Sequence, residues 1–442
     1  MKKLRYLSLV TAILYLILTV FPSCNRSSEE ENDMNKKSSA NEPGETPLTW
    51  EDDDYKVVFL SDTHLYDWNG LMGMTDGERL MMAVEGVLAE NEIRPVDMVI
   101  VNGDCVNNEK YPYNAGVFSS WEEFVYNGTV YRSEYEGIRY PAGSSGTEND
   151  PLGVLRILSY RELLRPLYDA GIPIFFIHGN HDCYRDVIFE MGFEINKTKG
   201  YLGGARHYTT DGDGNLRVPG YKIENDEISL CTRTVAPGDE DYAAYSKGYG
   251  KNYAFALNDN TAFIALDNFH VEGIEDENGE WHENGFINNA SGRSWGQTEV
   301  PAETVDSLVS SVSAYPEVYI AIHTAGNEKT QPAVAAAMKE NGNIRALFDG
   351  HTHKESVKSN VYGSGKPALT CGNLGVPMWE DQPKFRDTPF SYRVLEKSDR
   401  MKKSYIALFM HDYPDYDYPS HTKAHIDAFF QEYTRRGETV IP

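Results

Sequence analysis

Five short, mainly apolar runs in this chain break off into the same few polar residues, and that pattern constrains the fold more than any other feature. YKVVFL (55–60) runs into Ser61-Asp62-Thr63-His64, and VDMVIV (96–101) into Asn102-Gly103-Asp104-Cys105. IPIFFI (172–177) meets His178-Gly179-Asn180-His181-Asp182. VYIAI (318–322) meets His323, and IRALF (344–348) meets Asp349-Gly350-His351-Thr352-His353. Runs this short and this apolar suit strands buried on both faces of a parallel sheet. A buried strand has no structural need of a terminal imidazole or carboxylate. In open α/β sheets, however, ligands bind where strands end at their carboxyl edge. One such ending means little; five drawn from Asp, Asn and His make a constellation.

Helical patterns separate the runs. Thr75 and Glu78 are spaced as a capping box before LMMAVEGVLAE, and Asp150-Pro151 opens a helix through LRILSYRELLRPLYDAG with proline in the first turn. Further helices are expected through ETVDSLVSSVSAYP and AVAAAMKEN. NYAFALND and NTAFIALDN read as antiparallel strands joined by an Asn/Asp turn. The alternation predicts a layered α/β domain. Insertions at about 106–149 and 184–250 are too long for ordinary loops and are expected to carry small structures of their own. Beyond about 375 the chain shows a strand-like YIALFM and a final helical HIDAFFQEYTRR.

The 442 residues are 40% hydrophobic and 24% charged, so a sizeable core is available. A net charge of -26 argues against nucleic acid as a partner, since its backbone would be repelled. A local metal site could still draw in a small anion. The amino terminus, MKKLRYLSLVTAILYLILTVFPSC, has a basic start and then an apolar stretch, as secretory signals do. It resembles a bacterial lipoprotein signal in which Cys24 becomes the lipidated first residue, which would tether the protein to the cell envelope, facing the periplasm or the surface. Phe21 and Pro22 depart from the usual box, and a retained membrane anchor is the alternative, because the run approaches spanning length. Residues 25–50 are polar and poor in core formers, which suits a disordered tether. Cys105, Cys183, Cys231 and Cys371 show no zinc-knuckle or CxxC spacing. An exported protein could pair some of them; Cys105 and Cys183 are expected to be buried structural thiols.

Aspartate, asparagine and histidine together suit zinc, manganese or iron. Seven such ligands exceed the needs of one tetrahedral ion. They fit two ions about 3.5–4 Å apart that share a carboxylate.

The ordered set Asp62-Thr63-His64, Gly103-Asp104, Gly179-Asn180-His181-Asp182, His323 and Gly350-His351-Thr352-His353 resembles the signature of the calcineurin-like metallophosphoesterases. That resemblance, covering roughly residues 55–375, implies an α/β fold of two mixed β-sheets flanked by helices over 51–375, with residues 376–442 packed on it. It also implies that Asp62, His64 and His353 hold one divalent metal ion and Asn180, His323 and His351 a second, with Asp104 bridging them. His181 would contact the phosphate and support leaving-group departure, and Asp182 would orient His181. The expected reaction is hydrolysis of a small phosphate ester by a metal-bridging hydroxide. Charge bookkeeping agrees with it: four positive charges less Asp62, Asp104 and hydroxide leave about one, which attracts phosphate. A nucleotide-directed phosphodiesterase or nucleotidase is the alternative, and a non-catalytic surface binding lipoprotein a second. Many relatives have GDxxD or GDxxY where this chain reads Gly103-Asp104-Cys105-Val106-Asn107, so a purple ferric site is not expected.

Three other features receive plainer readings. His178 is expected to support the core or the ligands without binding metal. TDGDGN (210–215) has Leu216 where a calcium loop needs glycine, so a hairpin turn is expected there and at EDENGEW (275–281). His411, His421 and His425 lie outside the motifs and are expected to be surface or packing residues.

Overall fold

The computed structural model describes residues 53–65, 76–106, 112–119, 124–126, 128–144, 151–182, 200–204, 209–239, 242–246, 252–269, 274–275, 281–282, 299–353, 356–374, 391–398, 401–408 and 435–441. All of them belong to one unit, Leu48–Pro442. Its principal elements are β1 (Tyr55–Leu60), α1 (Asp76–Ile93), β2 (Met98–Asn102), α2 (Pro151–Asp169), β3 (Ile174–Ile177), β4 (Tyr201–Gly204), β5 (Leu216–Glu224) and β6 (Glu227–Val235). They continue as β7 (Tyr253–Ala256), β8 (Thr261–Leu266), α3 (Ala302–Ser311), β9 (Glu317–Ile322), α4 (Pro332–Glu340) and β10 (Ile344–Asp349). The last are β11 (Val357–Lys358), β12 (Ala368–Thr370), β13 (Ser391–Ser398), β14 (Met401–Leu408) and β15 (Arg435–Val440).

Two seven-stranded mixed sheets form the body. The first runs β15-β14-β13-β1-β2-β3, with Gly372–Asn373 pairing on β13; the second runs β4-β7-β8-β9-β10-β12-β11. β1, β2 and β3 are parallel, as are β8, β9, β10 and β12. The expected hairpin is present, β7 pairing antiparallel with β8.

Alternation along the strands explains the layering, because successive side chains in a strand face opposite ways. In β9, Tyr319 and Ala321 join the core between the sheets, whereas Val318, Ile320 and Ile322 pack with Val305 and Leu308 of α3 and Val334 and Met338 of α4. In β1, Phe59 stacks on Phe348 of β10 at 4.1 Å, while the buried Lys56 points the other way to Glu90 of α1 at 2.8 Å. Phe175 of β3 stacks on Phe255 of β7 at 3.8 Å. Aromatic rings therefore fill the space between the sheets, and helices cover both outer faces.

Part of the long segments between β2 and α2 and between β3 and β7 meets in one small sheet, in which Thr209–Thr210, β5 and β6 lie beside Arg139–Tyr140 and Gly116–Val117. Thr209–Thr210 pairs antiparallel with Leu216 and Arg217, so TDGDGN is a hairpin turn, with Asp211 accepting from the amides of Asp213 and Asn215. Glu275 pairs with Trp281 in the second hairpin.

The tail contributes strands to the first sheet, among them β14, which contains most of the strand-like YIALFM. Within it, β13 lies beside β1, pairing Tyr55 with Lys397 through Phe59 with Arg393. Arg435 and Arg436, expected to end a helix, begin β15 on the edge of β14. An unpaired strand edge offers backbone partners that outweigh weak local helix preference, and β-branched Thr439 and Val440 suit a strand. The rest of the expected helix, Cys24, Thr75, Asn107, Cys183 and His411, His421 and His425 lie outside the described residues.

Candidate metal centre

Each candidate site residue stands one to four residues past the carboxyl end of a parallel strand. β1 delivers Asp62 and His64, β2 Asp104, β3 Asn180 and His181, β9 His323, and β10 His351 and His353. The chain must turn sharply there. Asp62, His64, Asp104, His351 and His353 all have left-handed backbone, with φ of 56°, 48°, 53°, 66° and 52°. Such a conformation costs of order 1–3 kcal/mol for a non-glycine residue and clusters at working sites. Crossed hydrogen bonds hold it. The Asp62 amide donates to Gly103 O and the His64 amide to Asp104 O, at 3.1 and 2.9 Å. The His181 amide donates to Asp104 Oδ1 at 2.8 Å, and the His351 amide to Asp62 Oδ1 at 3.0 Å.

These turns gather two overlapping groups. Asp62, His64, Asp104 and His353 form one, and Asp104, His323 and His351 the other, with ligand atoms in each within 4.8 Å of one another. Asp104 belongs to both. Its Oδ2 lies 3.2 Å from His323 Nε2 and 3.5 Å from His64 Nε2. His353 Nε2 is 2.9 Å from His64 Nε2 and 3.4 Å from Asp62 Oδ1. Asn180 Oδ1 lies 2.8 Å from His351 Nδ1 and 3.2 Å from His323 Nε2, which adds an amide oxygen to the second group. The donors are buried or half-buried nitrogens and oxygens converging on two positions, a set that fits a pair of borderline divalent cations.

Sequence comparison bears directly on this arrangement. The calcineurin-like phosphoesterase family model matches residues 55–355. The chain belongs to that family. It is therefore a metal-dependent hydrolase of the phosphoesterase class, and its buried Asp/His cluster could hold metal ions. No protein of curated function matches the chain. Among solved structures it is similar to a protein of Thermus thermophilus (TM-score 0.34, 10% identity, 77% of this chain and 94% of that one). It is also similar to a predicted phosphoesterase of Streptococcus pneumoniae (TM-score 0.27, 12% identity, 82% and 94%). A third similarity is to the Thermus thermophilus sulfate thiohydrolase SoxB (TM-score 0.33, 10% identity, 77% of this chain), of which it spans about half the length, 53%.

Supporting residues differ in part from expectation. His323 Nδ1–H donates to Asn102 O at 2.7 Å, which turns Nε2 toward Asp104. Asp182, expected to orient the His181 ring, instead clamps backbone. Its Oδ1 accepts from the amides of Cys105 and Val106 at 2.7 and 3.2 Å, and its Oδ2 from Gly179 at 2.8 Å. Those unpaired amides beside the sharp turns need an acceptor, and a carboxylate serves several at once. Burial and then the Asp104 charge push the Asp182 carboxyl up to about 7. His178 is buried, with Nε2 2.9 Å from Asp182 O, a support role as expected. Cys105 and Cys371 are buried thiols and Cys231 an exposed one, all free among the described residues.

One contribution was missed. β8 runs parallel to β9, so it ends at the same edge, in Asp267-Asn268-Phe269. The Phe269 ring stands 5.4 Å from that of His323 and 5.9 Å from that of His351, walling the second group. NTAFIALDN carried the signal as a sixth apolar run ending in Asp-Asn.

The electrostatics prepare the ligands. Burial, then His181, lowers His64 well below its ordinary range, and burial, then His323, lowers His351 to about 4, so both imidazoles are neutral with lone pairs available. Burial works against ionisation of Asp104, yet His323 and His181 hold its carboxyl well below the usual range. His323 is the reverse case: burial lowers it, but Asp104 beside it raises it to about 10. A cation entering the second group must displace that proton. At pH 7 its uptake is expected to release about one proton, with affinity rising roughly tenfold per pH unit. Titration with manganese in weakly buffered solution checks this, and uptake without acidification refutes it.

Gly103 has no room for a side chain. Its φ is 85°, and a Cβ there would overlap His323 Nδ1. Gly103→Ala is expected to displace His323 and cost about 1–3 kcal/mol, as overpacking does. Thermal unfolding and metal content check it; wild-type values for both contradict it.

Proposed function

We propose that this protein is an exported hydrolase of small phosphate esters that works with two divalent cations, manganese, zinc or iron. One observation carries the reading: two ligand groups share a single buried carboxylate, Asp104. In this assignment Asp62, His64 and His353 complete the first site, and Asn180, His323 and His351 the second. A pair of such cations supplies Lewis acidity toward phosphoryl oxygens and a water acidic enough to act near neutral pH.

The chain's own residues supply the rest. Only Asp62 and Asp104 bring negative charge to the ligand set, because the corresponding position of β3 offers the neutral Asn180. The centre thus stays positive enough to draw a phosphate within a protein of net charge -26. The His181 backbone is anchored to Asp104, and its ring meets that of His64 edge-on at 4.6 Å. From there its imidazole stabilises the phosphoryl oxygens and delivers a proton to the departing group. The neighbouring aromatic ring of Phe269 restricts water on the side of the second group.

The deciding experiment uses the full chain purified in detergent. Metal content is measured alongside hydrolysis of bis-p-nitrophenyl phosphate and p-nitrophenyl phosphate, with and without manganese. About two metals per chain and turnover support the reading, and the preferred compound separates diesterase from monoesterase. A chain that binds no metal and is not rescued by manganese would end it. The envelope location rests on residues 1–24. The full-length protein is expected in the membrane fraction, with Cys24→Ser largely released from lipid modification; unchanged lipid labelling of that variant overturns the anchor.

A further inference from the structure

The ligands of the metal centre come from two sheets. Asp62, His64, Asp104 and Asn180 follow strands of the first, and His323, His351 and His353 follow β9 and β10 of the second. Aromatic packing between the sheets sets their spacing. A metal pair sharing one carboxylate needs tighter control.

Asn102 stands where that control can be applied. It closes β2, whose other residues read MVIV, and it is fully buried. Asparagine is seldom found in such a place unless hydrogen bonds compensate the loss of water. Its Nδ2 lies 3.3 Å from Ile322 O and 3.4 Å from Phe348 O, with Cys371 Sγ at 3.5 Å. Ile322 directly precedes His323, and Phe348 stands three residues before His351. Its backbone carbonyl meanwhile takes the His323 Nδ1 proton at 2.7 Å. The same carbonyl is 3.1 Å from Ser61 Oγ, which donates to Asp62 Oδ2 at 2.6 Å. One residue of the first sheet therefore reaches both ligand-bearing strands of the second, one ligand ring, and the serine that holds another ligand.

We propose that Asn102 is the positioning residue of the metal centre, its carboxamide stapling β9 and β10 to β2 so that both halves meet at Asp104. The two N–H groups of a primary amide leave in fixed directions about 120° apart, so the fork defines orientation as well as distance. The second metal should depend on it most. That ion takes His323 and His351 from the second sheet, whereas the first takes Asp62, His64 and Asp104 from the first and only His353 across the gap. The inference rests on the dinuclear assignment above but not on the substrate.

The test is manganese titration of the full chain in detergent, followed by electron paramagnetic resonance, for wild type and Asn102→Ala. Wild type is expected to pass early to the exchange-coupled signal of a pair. Asn102→Ala should bind the first ion nearly as before and need roughly 10–100-fold more free manganese for the second, the usual effect of losing a residue that supports metal ligands. Hydrolysis should then recover at high manganese. Equal second-ion affinity in the two proteins overturns the proposal, as does an equal fall in both affinities together with a lowered unfolding midpoint, which marks general destabilisation. Should the alanine variant fail to fold, Asn102→Leu keeps the approximate shape without burying a charge, removes the two N–H donors, and is read the same way. A wild type that binds two manganese ions yet hydrolyses no phosphate ester ends the phosphoesterase reading and leaves the Asn102 comparison decisive. A wild type that never forms the pair ends both.

Discussion

Asp104→Asn is expected to leave the protein folded, with at most one metal per chain and hydrolysis lowered by about 10³-fold or more. The carboxylate has two separate tasks. Oδ1 accepts from the His181 amide, and Oδ2 faces His323 and His64. An asparagine can keep the first task through its carbonyl oxygen, so the loop between β3 and Asp182 should stay in place. The amide nitrogen must then face the metals, where it offers hydrogens and no charge. Bridging is lost, and with it several kcal/mol of transition-state stabilisation, each 1.36 kcal/mol being about tenfold in rate. Elemental analysis and turnover read the two effects independently. Two tightly held metals with normal turnover would show that Asp104 does not bridge.

His181→Asn is expected to do the opposite to the metals: both stay, while turnover falls by about 10²-fold or more, as for loss of an acid or charge stabiliser. The substitution leaves the amide that binds Asp104 untouched, since only the side chain changes. It removes the ring that packs edge-on against His64. The loss should be larger for an alkyl phosphate than for p-nitrophenyl phosphate, because a stable phenolate departs with less need of a proton. Equal losses for both would restrict His181 to binding the phosphoryl group. No loss at all would remove it from the mechanism.

Much of this site is legible without a structure because its parts are local. A buried strand declares itself by a few consecutive apolar residues, and a turn by its glycine. Asp62, His64, Asp104, Asn180, His323, His351 and His353 could be picked out because each follows such a run closely. Helices α1 to α4 were equally visible, from their spacing and, in α2, from Pro151 in its first turn.

What stayed hidden depends on distant partners. Asp182 looked like a partner for its neighbour His181, but amides at Cys105 and Val106, 76 or more residues away, claim its carboxylate. β8 read as half of a hairpin with β7, and only its parallel pairing with β9 brings Asp267, Asn268 and Phe269 to the centre. The insertion of β13 beside β1 joins residues more than three hundred positions apart, with nothing in either segment to announce it. Strand character is encoded along the segment, whereas a strand's neighbours are chosen by side-chain packing over the whole sheet. By itself, then, the sequence determined the strands that end at the site, the helices α1 to α4 and the order of the candidate ligands. The tertiary structure alone decided that two sheets share the centre, that Asn102 spans them and that Asp182 serves the backbone, because these depend on which atoms meet across the fold.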